Sequence, residues 1–383
     1  MRHLNTALFG ILSLSFAAGM ASAQEAQVES YGYAETTLMS YVAEEDSWAY
    51  THARFRPTFE ATLNDRLILS SSFSLTGRHH SSQDFFWMDC APNQTCFFPS
   101  RFGPANALFE LERFFLDYYG EKTDLRIGRQ ALFWGSGLIW NPSNPFRQIL
   151  AFSPWENRSG VDAVRVNWAW PWEVDSTWVV SLDHDGNLAK GVVRLQKQFT
   201  DLDVAVVGAL STEENKEASY VGFDLKANLG LTYWVEGAVH FEPEAYNEVV
   251  VGLDYSFDVL DTWVLALQYS YNEAAELDAM ELYLKDPFMP LATDKSSWVL
   301  SSGLNFLEDW SLQSLLFASV DNEAGVAMNT LSWAGADAFS TQLAWIQPFA
   351  LSDNEKTALP GGGAALESAD LSAFVMLWAR WNY

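Results

Sequence analysis

Beyond residue 23 the chain has no run of the ~18 apolar residues that a membrane-crossing helix requires, which excludes a helical membrane protein over that length. Basic residues are also scarce, with 22 Lys and Arg against 49 Asp and Glu, a formal charge of −27. Nucleic-acid affinity rests largely on cationic side chains that release phosphate counterions, so no nucleic-acid partner is expected. Cysteine is limited to Cys90 and Cys96. Their spacing, even with His79 and His80 upstream, fits no standard zinc motif, so neither a metal nor a cofactor is expected. In an exported chain the two would instead close a small loop as a disulfide, worth ~2 kcal/mol on chain-entropy grounds.

Catalytic constellations are missing as well. Gly135-Ser136-Gly137 lacks the strand-to-helix setting of a nucleophile elbow. His52, His184 and His240 have no serine or cysteine context, and Glu110 and Glu112 share one strand face with many other acids. No enzyme activity is expected.

What the chain does have begins at its N-terminus. Met1-Arg2-His3, an apolar run from Ala7 to Met20, and Ala21-Ser22-Ala23 have the three zones of a secretory signal. Residues 1–23 are read as that signal and residues 24–383 as a single domain. The aromatic content is high, at 15% with 17 Trp. It suits a barrel whose lipid-facing band is bordered by aromatic girdles, although a secreted β-sandwich can also be rich in Trp.

Hydrophobic periodicity separates these two. From Glu29 onward the period is two: His52, Arg54, Arg56, Thr58 and Glu60 alternate with Ala53, Phe55, Pro57, Phe59 and Ala61, as on a strand with one polar and one apolar face. Short polar or glycine-containing turns fall at Asn64-Asp65, Gly120 to Thr123, Trp170 to Glu173, Thr200-Asp201, Ala227 to Gly230, Asp258 to Asp261, Leu307 to Asp309 and Gly335 to Asp337. Longer, more acidic connections lie between them. Alternating short and long connections characterise an all-β, antiparallel, up-and-down transmembrane β-barrel. About 18 strands are counted, from 29–39 to 368–383, with 16 as the alternative.

A barrel acts through what faces its lumen. Alternation places Arg54, Arg56, Arg126, Arg165 and Arg194 inward on the earlier strands, and Asp224, Glu236, Glu242 and Asp254 inward on the later ones. Basic and acidic groups would then face each other across the lumen. Arg129 falls on the apolar parity of its strand, displaced by a bulge near Gly128 or set near the interface. The loop from Phe133 to Phe146 combines Gly135 and Gly137 with Pro142 and Pro145. It either enters the barrel and narrows it, with Trp134, Trp140 and Asn141 at the constriction, or covers the outer rim.

The last strand places Val375, Leu377, Ala379, Trp381 and Tyr383 on one face. It looks like the C-terminal recognition strand read by the outer-membrane barrel-assembly machinery. Leu111-Glu112-Arg113-Phe114-Phe115-Leu116-Asp117-Tyr118-Tyr119-Gly120, followed by Asp124-Leu125-Arg126-Ile127-Gly128-Arg129-Gln130 and Trp134-Gly135, resembles a group of Gram-negative outer-membrane barrels that includes the alginate-export-like porins. That resemblance implies an outer-membrane location, contact with lipid and lipopolysaccharide, and passage of a small polar solute. The acid excess fits poorly with export of a polyanion. A non-conducting structural barrel, or one associated with exopolysaccharide export or a capsule, is the alternative, and the sequence carries no signature of an oligomer interface.

Overall fold

The computed structural model describes residues 27–42, 47–81, 94–96, 105–146, 160–183, 185–212, 217–242, 245–276, 295–321, 323–350, 356–357, 366–367 and 374–383. The expected signal segment and Cys90 lie outside the described residues, and with Cys90 the expected disulfide to Cys96.

Eighteen long strands follow one another around the wall. The first six are β1 (Gln27–Val42), β2 (Ser47–Asn64), β3 (Leu67–His80), β4 (Ala105–Tyr119), β5 (Thr123–Gln130) and β6 (Val161–Trp170). Then come β7 (Val174–Leu182), β8 (Leu188–Gln198), β9 (Leu202–Ser211), β10 (Ala218–Asn228), β11 (Thr232–Glu242) and β12 (Tyr246–Phe257). The last six are β13 (Thr262–Asn272), β14 (Ser296–Phe306), β15 (Trp310–Ser319), β16 (Ala324–Ala336), β17 (Phe339–Ala350) and β18 (Phe374–Asn382). Each pairs antiparallel with its sequence neighbours, and β18 pairs with β1 from Tyr33↔Asn382 to Tyr41↔Phe374. The sheet therefore closes and has no free edge, the condition for a sheet to sit in lipid. All eight expected short turns lie at one end, together with Gln27 and Tyr383. The long connections lie at the other. Three smaller pieces, Gln94–Cys96 along β4 and the pair Lys356–Thr357 with Leu366–Glu367, belong to those connections.

Side chains sort by parity. Phe55, Ile127, Val180, Leu195, Val251 and Leu377 are 44–49% exposed on the outside of the wall. Their inward neighbours Arg54, Val179, Val250 and Met376 are buried. Such an outer surface would be costly in water and is at home in hydrocarbon. Near the turn end, aromatic side chains border it: Trp168 lies against Trp170, Tyr255 and Trp263 flank Phe257, and Trp310 faces Trp333. The hydroxyl of Ser176, almost fully covered, accepts the indole N–H groups of Trp170 at 2.8 Å and Trp178 at 3.1 Å. Indoles with an apolar body and a satisfied polar tip are suited to the lipid–water boundary.

Two irregularities shape the inner surface. In the β3–β4 ladder Ser72 faces Arg113 and Phe73 faces Leu111, leaving Glu112 as an extra residue that turns inward. In β5, Gly128 has φ +121°, and a Cβ there would collide with the Phe114 carbonyl oxygen. Glycine alone takes up this backbone without strain. The break displaces Arg129 from the alternation, and its guanidinium pairs with Asp162 (Nε–Oδ1 2.9 Å, Nη2–Oδ2 2.5 Å) while donating to the Leu111 carbonyl at 3.2 Å.

Candidate functional site

The lumen is where this wall presents polar chemistry, and its first half is a series of ion pairs. At the seam, Glu35 on β1 accepts bonds from Arg380 on β18 (Nη2 2.7 Å, Nε 3.1 Å) and from the Trp378 indole (3.1 Å), and lies 3.3 Å from Arg54 Nη1 on β2. The Arg380 guanidinium stacks 4.0 Å from the Tyr33 ring. Arg56 binds the bulged Glu112 at 2.5 Å and also reaches Thr58 and Ser72. Arg126 forms a fork with Asp117 (2.5 and 2.7 Å) and lies 4.0 Å over the Phe115 ring. Arg165 is placed opposite Arg126 in the β5–β6 register. Among the described residues it has no ion-pair partner, and its Nε is buried without a hydrogen bond. Acids accompany the arginines on this half: Glu35, Glu112 and Asp117 pair with Arg54, Arg56 and Arg126, because inward parity delivers acids there too.

On the other half, Arg194 and Asp224 approach to 3.9 Å, and the Arg194 guanidinium lies 5.9 Å from the Trp134 ring. Asp254 is half-buried, opposite Thr232 in the ladder. Glu242 ends β11, and its side chain lies outside the described residues.

The segment after β5 does not stay at the rim. Residues 131–146 cross to the inner surface of β6 through β15, and Leu132, Ile139, Trp140 and Phe146 are buried there. Trp140 meets Phe317 edge-on at 6.3 Å, within a cluster that includes Ile139, Trp234, Val250 and Val299. Trp134 meets Phe146 edge-on at 5.5 Å, beside Val179, Val192 and Val207.

Polar anchors fix the backbone between these clusters. Glu236 accepts the amides of Ser136 and Gly137 at 2.5 Å each and the Ser143 hydroxyl at 2.8 Å. Gln268 accepts the Leu138 amide at 2.6 Å, and the Ser136 hydroxyl donates to Asp224 at 2.8 Å. Gly135, at φ +109°, has Asn141 and Glu236 where a Cβ would stand, which explains why the loop needs glycine there. Beside the docked loop, a polar cavity of about 300 Å³ is bounded by Trp134, Ser136, Arg194, Asp203, Asp224 and Lys226. Of the residues singled out in sequence, Trp134, Asn141, Arg194, Asp224 and Glu236 are brought together here, and Trp140 lies deeper against the far wall. Gln268, Ser136 and Ser143 had no distinguishing sequence pattern. Inward polarity on β13 and the serine within Gly135-Ser136-Gly137 were the available signals.

No family model matches the sequence, and no curated protein does. The fold, by contrast, is shared with solved structures. OccAB1 of Acinetobacter baumannii superposes with a TM-score of 0.57 at 10% identity, over 94% of this chain and 99% of that one. OccAB4 of the same organism gives 0.56 at 11% identity, over 94% and 99%. OpdK of Pseudomonas aeruginosa, solved with vanillate, gives 0.55 at 9% identity, over 93% and 98%. At such identities the likeness is one of fold. The chain is an 18-stranded antiparallel β-barrel with the fold of the Occ and Opd outer-membrane porins.

Proposed function

We propose that the barrel is a diffusion channel for small hydrophilic solutes, with a charged lumen narrowed by the loop from Phe133 to Phe146. The observation that carries this reading is the attachment of that loop to the opposite wall, backbone amides on Glu236 and Gln268 and rings among Val250, Val299 and Phe317. A wall of ~16–18 strands encloses more space than its own side chains fill. An internal loop reduces that space to a path, and the remaining polar surface is lined by the arginines and carboxylates described above. OpdK, crystallised with vanillate, shows that a barrel of this fold accompanies a small organic molecule. In this reading Trp134 and Asn141 border the narrow path, Trp140 fixes the loop to the wall, and the strand ending at Tyr383 is the segment offered to the assembly machinery.

Planar-bilayer recording of the purified protein tests it. Wild-type barrel gives discrete conductance steps, and deletion of Ser136 to Asn144 enlarges them. Unchanged steps after the deletion would refute the constriction, and no steps in either protein would leave a structural barrel instead.

A further inference from the structure

The turns at the closed end of the hairpins are not uniformly polar. Five successive turns along that rim, those joining β6 to β7, β8 to β9, β10 to β11, β12 to β13 and β14 to β15, each carry a large apolar residue. They are Trp172 (81% exposed), Phe199 (49%), Leu229 (70%), Val259 and Leu260 (46% and 71%) and Leu307 (76%). The other three turns on this rim instead present Asp65 and Arg66, Glu121 and Lys122, and Asp337.

Backbone conformation makes this distribution harder to dismiss. Trp172 and Glu173 both have positive φ (69° and 59°), as do Leu307 and Glu308 (52° and 55°), and Leu260 has φ 55°. Such positions in tight hairpin turns favour Asn, Asp or Gly, and a bulky side chain there strains the backbone. Strain of this kind is a pointer to a role rather than a folding convenience. The apolar tips are continuous with the aromatic border of the lipid face. Trp172 follows Trp168 and Trp170, Leu260 lies between Phe257 and Trp263, and Leu307 precedes Trp310. Four of the five tips also have a carboxylate beside them, Glu173, Asp201, Asp261 and Glu308, suited to remain in the headgroup layer.

We infer that these five turns form a one-sided lipid anchor, seated in the periplasmic leaflet, while the three polar turns stand in water. The barrel is then held tilted or more deeply immersed along β6 to β15, and its seam side projects into the periplasm. Hydrophobic mismatch is commonly relieved by tilt of this kind.

Site-directed nitroxides in proteoliposomes free of other proteins test the assignment. L229C, L260C and L307C, each in a C90A/C96A background, are compared with D65C, E121C and D337C, all on exposed turns where labelling leaves the wall intact. Protease resistance of the strands verifies folding in every sample. The expected result is a shift of the oxygen-to-nickel-chelate collision ratio to the lipid side for the first three labels alone. A water-type ratio at all six overturns the anchor. Protection of the first three from both reagents also overturns it, in favour of a contact between copies of the barrel.

Discussion

Replacing Glu236 should loosen the internal loop without disturbing the wall. The carboxylate accepts three short bonds from the loop, two from backbone amides and one from a hydroxyl, and a longer one from the Ser143 amide at 3.4 Å, and hydrogen bonds to a charged acceptor are worth about 1.5–3 kcal/mol each. The three short ones together hold the segment by about 5–9 kcal/mol in gross terms on that scale. Glu236→Gln keeps the shape and one acceptor oxygen, so roughly half of this survives, and the loss is about 2–4 kcal/mol. At about 1.4 kcal/mol per factor of ten, the undocked population rises roughly 10²-fold. Gln268, Asp224 and the buried Ile139 and Trp140 still hold the loop, so docked states remain dominant in the Gln variant. Single-channel recordings should therefore show brief excursions to a higher level in E236Q, and a higher mean level in E236A, where all of these bonds are gone. If both variants match wild type in mean conductance and in open-channel noise, Glu236 does not position the constriction, and the argument from these hydrogen bonds fails.

Three further outcomes are expected. Arg165→Ala removes the inward guanidinium that has no ion-pair partner among the described residues, and the reversal potential in a salt gradient should move toward cation preference; an unchanged potential would place Arg165 off the path. Glu35→Ala strips the shared acceptor from Arg54, Arg380 and Trp378, a loss of about 3–5 kcal/mol on the scale of a broken buried ion pair, and the folded barrel should unfold at lower temperature in detergent, with E35Q intermediate. Gly128→Ala forces a side chain into positive φ against the Phe114 carbonyl, a strain of about 1–3 kcal/mol, and loss of the Arg129–Asp162 pair should be visible as faster amide exchange at the top of β5 and β6.

The wall was legible in the sequence because apolar residues recur at every second position on the outer face of the strands, and because most turns announce themselves through Gly, Asp and Asn. Strand ends were less so. The expected segment 29–39 proves to be Gln27–Val42, since ladder hydrogen bonds continue past the residues that must alternate. Parity also identified Arg54, Arg56 and Arg126 as inward, but it could not assign their partners. Pairing depends on register between strands, and the Arg56–Glu112 contact further depends on a bulge that one strand's pattern does not reveal. The loop was recognisable as unusual from its glycines, prolines and aromatics. Its destination was not, because Glu236 and Gln268 resemble other inward polar residues until the chain is folded.

The docked loop divides the barrel into two kinds of wall. From β12 to β15 the sheet is covered on its inner side by Ile139 and Trp140, so Val250, Ala266, Val299 and Phe317 are apolar at inward positions of the kind that carry charge on β1 to β5. In β1 to β5 the inner surface is ionic, with Glu35, Arg54, Glu112 and Asp117 largely buried in their pairs. Both kinds of wall tie together residues far apart in sequence, Glu35 to Arg380 at the seam and Glu236 to Ser136 under the loop. A barrel built this way can alter either the charge or the shape of its passage only by coordinated replacement.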